Sequence, residues 1–414
     1  MKITSLYLFK LFKGNNDLIW LGFRKYTFTN SLHKRTCFNL YTLKKESSST
    51  KARLGELKTD HGVIQTPIFM PVGTLGTVKG VSQHDLVEKI HAQIILGNTY
   101  HLYLRPGMDI MYEAGGLHEF MKWDKPILTD SGGYQIFSLS ENRKLEEEGA
   151  FFKSHIDGSK HLFTPENVVE TQRTLGSDIM MILDECPPYP SSYEYAKNSM
   201  GLTHRWAKRG RKHFLETEAR YGHKQHQFGI VQGGTYKDLR IESSKFMADQ
   251  DFEGIAIGGL SVGEPIPLMY EMADLNTDYL PKQKARYLMG VGTPGNLIEC
   301  VARGIDMFDC VMPTRNARNG TIFTRNGKVN LRNAKWKNHH EFLDPDFPSD
   351  VCNKYTMAYI HHLIKHNEIF GLVMASIHNL TFYLWLMEQI REHIANDTFA
   401  EWYPSMVKQV ETKL

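Results

Sequence analysis

Long apolar runs are missing from this 414-residue chain. None approaches the roughly 20 residues that a membrane-spanning helix needs, so the sequence reads as that of a soluble protein. Cysteine is scarce too. Cys37, Cys186, Cys300, Cys310 and Cys352 are odd in number and widely scattered, which argues against a disulfide framework and for a reducing compartment, the cytoplasm. No Gly-x-Gly-x-x-Gly opens a helix after the first strand pattern, which weighs against a dinucleotide-binding sheet. Acid is absent from one stretch: Cys310 to His340 holds Arg315, Arg318, Arg325, Lys328, Arg332, Lys335 and Lys337 but no Asp or Glu.

The charge that is present is unevenly spread. Residues 1–45 carry nine Lys/Arg against the single acid Asp17, leaving 40 basic and 45 acidic side chains for residues 46–414. The body is therefore no general polyanion binder, and any nucleic-acid surface must be local. The acid-free run is the candidate, the alternative being an ordinary solvated face. Residues 1–48 read as a divergent basic extension, poorly ordered, with Lys44–Ser49 as the linker into a body spanning 49–414. The extension matches a transit peptide badly, being rich in Lys and bulky apolar residues rather than in Arg.

From Ala52 on, short apolar runs alternate with amphipathic stretches. Strands are expected at Pro67–Val72, Ala92–Leu96, Pro126–Thr129, Ile179–Leu183, Gln227–Val231, Gly254–Ile257, Arg286–Gly290 and Ile305–Val311. Helices are expected at Ser82–Ile90, Pro165–Leu175, Tyr193–His213, Tyr236–Asp249 and Pro294–Arg303. About eight strands separated by helices imply an α/β protein of parallel βα units, and a closed (β/α)8 TIM barrel with insertions is the natural reading; a doubly wound open sheet is the alternative. Residues 151–165 read as an inserted hairpin with a type I′ turn at Asp157-Gly158. A C-terminal helical appendage begins near residue 335, with Tyr355–Ile369 and His378–Ile394 as its strongest amphipathic stretches.

Almost every strand pattern ends in polar or glycine-rich sequence: Gly97-Asn98-Thr99-Tyr100, Asp130-Ser131-Gly132-Gly133-Tyr134-Gln135, Asp184-Glu185-Cys186, Gln232-Gly233-Gly234, Gly258-Gly259-Leu260 and Gly290-Val291-Gly292-Thr293. Turn chemistry alone does not account for six such endings in register, and the C-terminal face of a barrel is where active sites sit. The stretch 304–320 adds two aspartates, Asp306 and Asp309, on a short apolar strand that breaks at Pro313 into a loop holding Arg315 and Arg318. Three aspartates, Asp130, Asp184 and Asp309, thus end separate strands. Paired carboxylates facing a sugar are the equipment for glycosidic chemistry. A third, with Gln232 and glycine backbone, suits a heterocyclic base.

The segments 130–135, 184–186, 231–234 (Val-Gln-Gly-Gly), 258–264 (Gly-Gly-Leu-Ser-Val-Gly-Glu), 289–294 (Met-Gly-Val-Gly-Thr-Pro) and 306–320 (Asp-Met-Phe-Asp-Cys-Val-Met-Pro-Thr-Arg-Asn-Ala-Arg-Asn-Gly) resemble those of tRNA-guanine transglycosylases, in matching order from about residue 52 to the C-terminus. The resemblance implies a base exchange at guanosine 34 of tRNAs with GUN anticodons (the Asp, Asn, His and Tyr type) by double displacement. It implies Asp309 as nucleophile and Asp130 as general acid/base. Ser131, Gly132, Gly133, Tyr134, Asp184, Gln232, Gly259, Leu260 and Met289 would bind the base. Gly290, Val291, Gly292, Thr293, Pro294, Gly295 and Asn296, with Thr314, Arg315, Asn316, Ala317 and Arg318, would contact the tRNA. Val262 and Cys186 are bacterial-type choices that favour preQ1 over queuine as incoming base, and a homodimer is implied.

The family pattern also carries a structural zinc on Cys-x-Cys-x-x-Cys plus a histidine. Here the aligned stretch is Phe347-Pro348-Ser349-Asp350-Val351-Cys352, and the histidine is His378. With two thiolates missing, no zinc or other cofactor is expected. Two other readings compete: a non-catalytic tRNA-binding subunit, disfavoured by retention of both Asp130 and Asp309, and a barrel glycosidase. The glycosidase reading is disfavoured by the basic flank and by the lack of tryptophans near strand ends, where only Trp123 is close.

Overall fold

A computed structural model describes residues 40–139 and 143–414. Three antiparallel strands lead in: β1 (Tyr41–Glu46), β2 (Arg53–Thr59) and β3 (Gly62–Thr66). The folded body thus starts before the expected boundary near 48, because Tyr41–Glu46 pairs with β2 and buries Tyr41. The remainder of the expected N-terminal extension, residues 1–39, lies outside the described residues.

Next come β4 (Ile68–Met70) and β5 (Val72–Gly73), β6 (Ile95–Gly97) and β7 (Ile127–Thr129). A small antiparallel sheet follows: β8 (Lys144–Leu145), β9 (Ala150–Lys153) and β10 (Lys160–Phe163). The chain continues with β11 (Ile179–Met181), β12 (His226–Val231), β13 (Gly254–Ile257), β14 (Ala285–Leu288) and β15 (Met307–Asp309). It then forms the hairpin β16 (Thr321–Thr324) and β17 (Gly327–Asn330).

The large sheet runs β4-β15-β14-β13-β12-β11-β7-β6-β5, with every pairing parallel. Its two ends are pieces of one segment separated by Pro71, which has no N–H to give the ladder. The Pro71 carbonyl still accepts from the Leu96 backbone, at 2.9 Å. The nine strand pieces therefore make eight staves of one α/β barrel, with all eight expected strands in place. Strands β12, β13 and β14 are buried at every position, as parallel strands covered on both faces must be. Helix Pro165–Leu175 starts with Pro165 in its first turn and a capping box between Thr164 and Asn167, the reason its limits are readable from sequence.

Four local expectations need correction. The hairpin exists, but β9 and β10 are joined through the loop Ser154–Ser159, and of its two expected turn residues only Gly158 has positive φ (75°). It is therefore no two-residue I′ turn. Residues Met312–Arg318 form a helix and not a loop, because proline in a first helical turn costs no hydrogen bond. The expected Tyr355–Ile369 helix is Met357–Lys365, and the long helix begins at Ile369 and reaches Ala395. Finally, Ile369–Ala395 is long and apolar enough, by length and composition, to cross a membrane, but 72% of its most apolar window is buried inside the fold. It is a core helix packed on Met312–Arg318 and β16.

The two aspartates of the 304–320 stretch sit at opposite ends of β15. Asp306, fully buried, accepts hydrogen bonds from Arg53 Nε at 3.0 Å, from Arg53 Nη2, from the Arg286 backbone at 2.7 Å and from Tyr41 Oη at 3.4 Å. It ties the β1–β3 meander to the N-terminal end of the barrel. Asp309 stands at the C-terminal mouth.

Candidate active site

Strand ends bring the three other aspartates to one mouth. Asp130 follows β7. Its Oδ1 accepts from the Thr99 backbone at 2.9 Å and its Oδ2 from Asn98 Nδ2 at 2.6 Å. Asn98 also caps the helix Thr99–Leu104 through the His101 backbone, so the carboxylate hangs on a rigid helix start. Burial pushes the Asp130 carboxyl up to about 7; the Thr99 hydrogen bond opposes this, and the nearby Asp309 charge adds to it.

Asp309 is held differently. Tyr287 Oη donates to its Oδ1 at 2.6 Å and the Gly290 backbone donates to the same oxygen at 2.9 Å. Burial raises this carboxyl, and those two bonds favour the ionised form. Among the described residues no hydrogen bond falls on Oδ2, which leaves one carboxylate oxygen free for chemistry.

Asp184, buried, accepts from Ser131 Oγ at 3.2 Å and from Gln232 Nε2 at 2.8 Å. Burial lifts it to about 6, against those two bonds. The other amide atom, Gln232 Oε1, is buried without a partner. An orphaned acceptor of that kind is costly unless a ligand donor reaches it. Backbone packs close on both sides. A Cβ at Gly133 would stand 2.5 Å from the Asp184 carbonyl oxygen, and one at Gly259 (φ +64°) would stand 2.3 Å from Gln232 Oε1. Gly132 has φ +81°. Leu260 is buried, Met289 half-buried, and Tyr134 half exposed at the rim.

This arrangement sets buried hydrogen-bond acceptors beside two carboxylates of unlike provision. The family model for queuine tRNA-ribosyltransferase matches residues 47–412. A queuine tRNA-ribosyltransferase of Thermoanaerobacter sp. (strain X514) is 58% identical over 369 residues, 89% of this chain and 97% of that protein. The one of Bacillus subtilis (strain 168) is 54% identical over 361 residues, 87% and 93% respectively. The chain belongs to the queuine tRNA-ribosyltransferase family.

Two residues of this family member escaped the sequence reading. Tyr287 is fully buried inside β14 and looks like any core aromatic until its hydroxyl is found on Asp309. Arg240, also fully buried, sends its guanidinium to the carbonyls of Gly234 (2.6 Å), Gly258 (2.7 Å) and Gly259 (3.1 Å). It clamps two glycine loops of the mouth from the helix Lys237–Asp249. No motif marks it, since it lies on an amphipathic helix among surface charges.

The residues expected to contact tRNA divide by burial. Gly290 and Arg315 are exposed; Thr293, Asn296, Asn316 and Arg318 are half-buried. Val291, Gly292, Pro294, Gly295, Thr314 and Ala317 are buried, and their side chains cannot form a surface. They shape it instead: Thr293 caps the helix Pro294–Ala302, and the Gly292 carbonyl accepts from Tyr383 Oη. The basic run is also narrower than its sequence suggests. Arg325 pairs with Asp344, Lys328 with Glu411, and Arg332 bonds Asn367 and the Asn319 carbonyl. Among the described residues Arg315 and Arg318 have no acidic partner, and Arg318 Nη1 is buried and unbonded.

At the aligned zinc position, Cys352 Sγ lies 3.3 Å from His378 Nδ1, and His378 Nε2 bonds the Phe323 carbonyl at 2.8 Å. Phe347 stands edge-on to the His378 ring, centroids 5.6 Å apart, and burial pushes the Cys352 thiol up. One protonated thiol and one imidazole walled by aromatics do not make the four-ligand set that a structural zinc takes.

Gly259 offers a sharp test of the expected base pocket. Gly259→Ala puts a methyl group against Gln232 in a backbone conformation that favours glycine. Catalytic efficiency should fall by about 10²-fold, as for an ångström-scale displacement of a substrate-holding group, with thermal stability changed far less. Steady-state kinetics with tRNA and labelled base checks it.

Proposed function

We propose that this enzyme exchanges guanine 34 in GUN-anticodon tRNAs for preQ1 through a covalent enzyme–RNA intermediate. Family membership makes the chain a transferase of tRNA processing that exchanges guanine in tRNA on the queuosine pathway; the steps below are our reading. The target base leaves its stack to enter the mouth, as bases must for enzymes that work on them. Asp309 Oδ2 attacks C1′ of the nucleotide, forming a C1′–O bond as the C1′–N9 bond breaks. Asp130, protonated, gives its proton to departing guanine. The incoming base then loses its N9 proton to Asp130 carboxylate, and N9 displaces Asp309 from C1′. Asp184, Gln232 and the Gly259 backbone hold the base edge, with Tyr134 and Met289 on its faces and Ser131, Gly132, Gly133 and Leu260 shaping the pocket. Arg315 and Arg318 take phosphates of the anticodon loop.

The observation that carries this reading is the unequal provision of the two carboxylates. Asp309 keeps an unbonded oxygen beside two donors that favour its charge. Burial pushes the Asp130 carboxyl up to about 7, the range in which a proton shuttle is most effective at neutral pH. Val262 and the buried Cys186 support the smaller base, preQ1. We also propose a homodimer in the cytoplasm, the hairpin near 151–165 as an insertion between barrel units, and residues from about 335 onward as a C-terminal subdomain.

Purified enzyme with GUN-anticodon tRNA should incorporate labelled guanine, and preQ1 should compete better than queuine. Binding of tRNA without incorporation would overturn the reading in favour of a non-catalytic subunit. A pH series tests the assignment of Asp130. An acid whose ionisation is pushed up to about 7 is protonated below that pH and loses its proton above it. Catalytic efficiency toward tRNA, which needs the protonated acid first, should therefore fall as pH rises through about 7. Asp130→Asn should abolish that descending limb together with most of the activity.

A further inference from the structure

The opposite end of the barrel holds a cluster that the base exchange does not use. His61 lies in the turn between β2 and β3, His118 on the helix Leu117–Met121, and His223 in the segment before β12. One ring nitrogen from each lies within 4.8 Å of those of the other two, and among the described residues no other group of three His, Cys, Asp or Glu converges in this way. The rings of His61 and His118 are stacked, centroids 3.8 Å apart, and His223 stands edge-on to both at 4.6 and 5.6 Å.

Each imidazole also has an oxygen partner on one of its ring nitrogens. His61 Nδ1 faces Asp178 Oδ1 at 2.8 Å. His118 Nε2 faces the Lys125 carbonyl at 3.2 Å and Asp178 Oδ2 at 3.3 Å. His223 Nε2 faces the Gly176 carbonyl at 2.8 Å. A nitrogen facing a carbonyl or carboxylate donates its N–H, so the neutral tautomers leave a lone pair on Nε2 of His61 and on Nδ1 of His118 and His223. An N–H held by a carboxylate or a backbone carbonyl is the outer shell that metal-binding histidines have. Asp178, fully buried and anchored by the Ile127 backbone at 2.9 Å, serves two of the three rings.

We propose that His61, His118 and His223 form a divalent metal site of the zinc type, with three imidazole ligands and water in the fourth position. All three rings are half-buried, so the ion can enter from solvent. Imidazole nitrogens suit Zn²⁺, Co²⁺ and Ni²⁺. At Zn–N distances of 2.0–2.1 Å, tetrahedral ligands stand about 3.4 Å apart; binding therefore draws the rings inward and turns His61 and His118 out of their present stack. The ion joins the β2–β3 turn, the helix Leu117–Met121 and the approach to β12, and so fastens the meander to the barrel floor, a strand's length from the catalytic mouth.

Tag-free enzyme stripped with chelator and dialysed against micromolar Zn²⁺ should retain about one ion per chain by elemental analysis. Affinity should drop at least tenfold in His118→Gln and in His223→Gln, and should be unchanged in Cys352→Ser. Cobalt on the wild-type enzyme decides independently of whether any variant folds. The proposal expects visible d–d bands without a sulfur-to-cobalt charge-transfer band. It is overturned if wild type keeps no metal, if Cys352→Ser loses it, or if the sulfur band appears. The first of these outcomes would leave a metal-free hydrogen-bonded brace, with His61 and His118 on Asp178 and His223 on the Gly176 carbonyl.

Discussion

Asp309→Asn should reduce base incorporation by roughly 10⁴-fold or more and eliminate the covalent tRNA adduct on a denaturing gel, while leaving the enzyme folded and able to bind tRNA. The size follows from the proposed role of Asp309 as nucleophile; losses of that order accompany removal of a nucleophile that acts as part of a unit. The selectivity follows from geometry. Both donors, Tyr287 Oη and the Gly290 N–H, fall on Oδ1. An asparagine keeps that oxygen and both bonds, and places an amide nitrogen where the free oxygen stood. The mouth is preserved and only the proposed attacking atom is lost. Retention of adduct in the variant would assign the nucleophile elsewhere, with Asp130 the first candidate. Tyr287→Phe is the companion experiment. It removes one of the two bonds from Oδ1 and should lower the rate well short of abolishing the adduct.

Asp306→Ala should do the opposite, costing stability and leaving the chemistry of folded molecules intact. The Arg53–Asp306 pair is buried on both sides, and the same carboxylate also satisfies the Arg286 N–H and Tyr41 Oη. Removing one partner of a buried pair strands the other charge and typically costs about 3–5 kcal/mol. Here the stranded guanidinium keeps only the Lys282 and Lys284 carbonyls. Urea denaturation should show a lower midpoint with little change in slope, and incorporation per folded molecule should match wild type. A loss of activity without a loss of stability would mean that this end of β15 communicates with the mouth. Replacing both Arg53 and Asp306 by apolar residues of similar volume should restore much of what the single change loses.

These two aspartates, three residues apart, mark where sequence reasoning stops. The eight strands, most of their helices and the register of polar residues at strand ends were all legible. Each depends on a window of a few residues: short apolar runs, amphipathic stretches between them, polar or glycine-rich residues after the last apolar position. The motifs around Asp130, Asp184, Gln232 and Asp309 are local too, and they sufficed to identify the family. What the windows do not contain is partnership. Asp306 and Asp309 have the same neighbours in sequence, and only barrel closure sends one to an arginine 253 residues away and the other to a tyrosine of the adjacent strand. Arg240 reads as a helix-surface charge until the two glycine loops fold over it. Three of the seven basic residues in the run prove to be paired with acids or an amide from the C-terminal part of the chain. Pro313, which looks like a break, opens a helix because the core helix Ile369–Ala395 packs against its apolar face. The three histidines converge from positions 61, 118 and 223, two of them on Asp178, with no local signal at all. Local preference and hydrophobic period decided which elements form. Closure of the ring decided which side chains meet, because contacts between distant residues depend on the assembled geometry and not on any one stretch of chain.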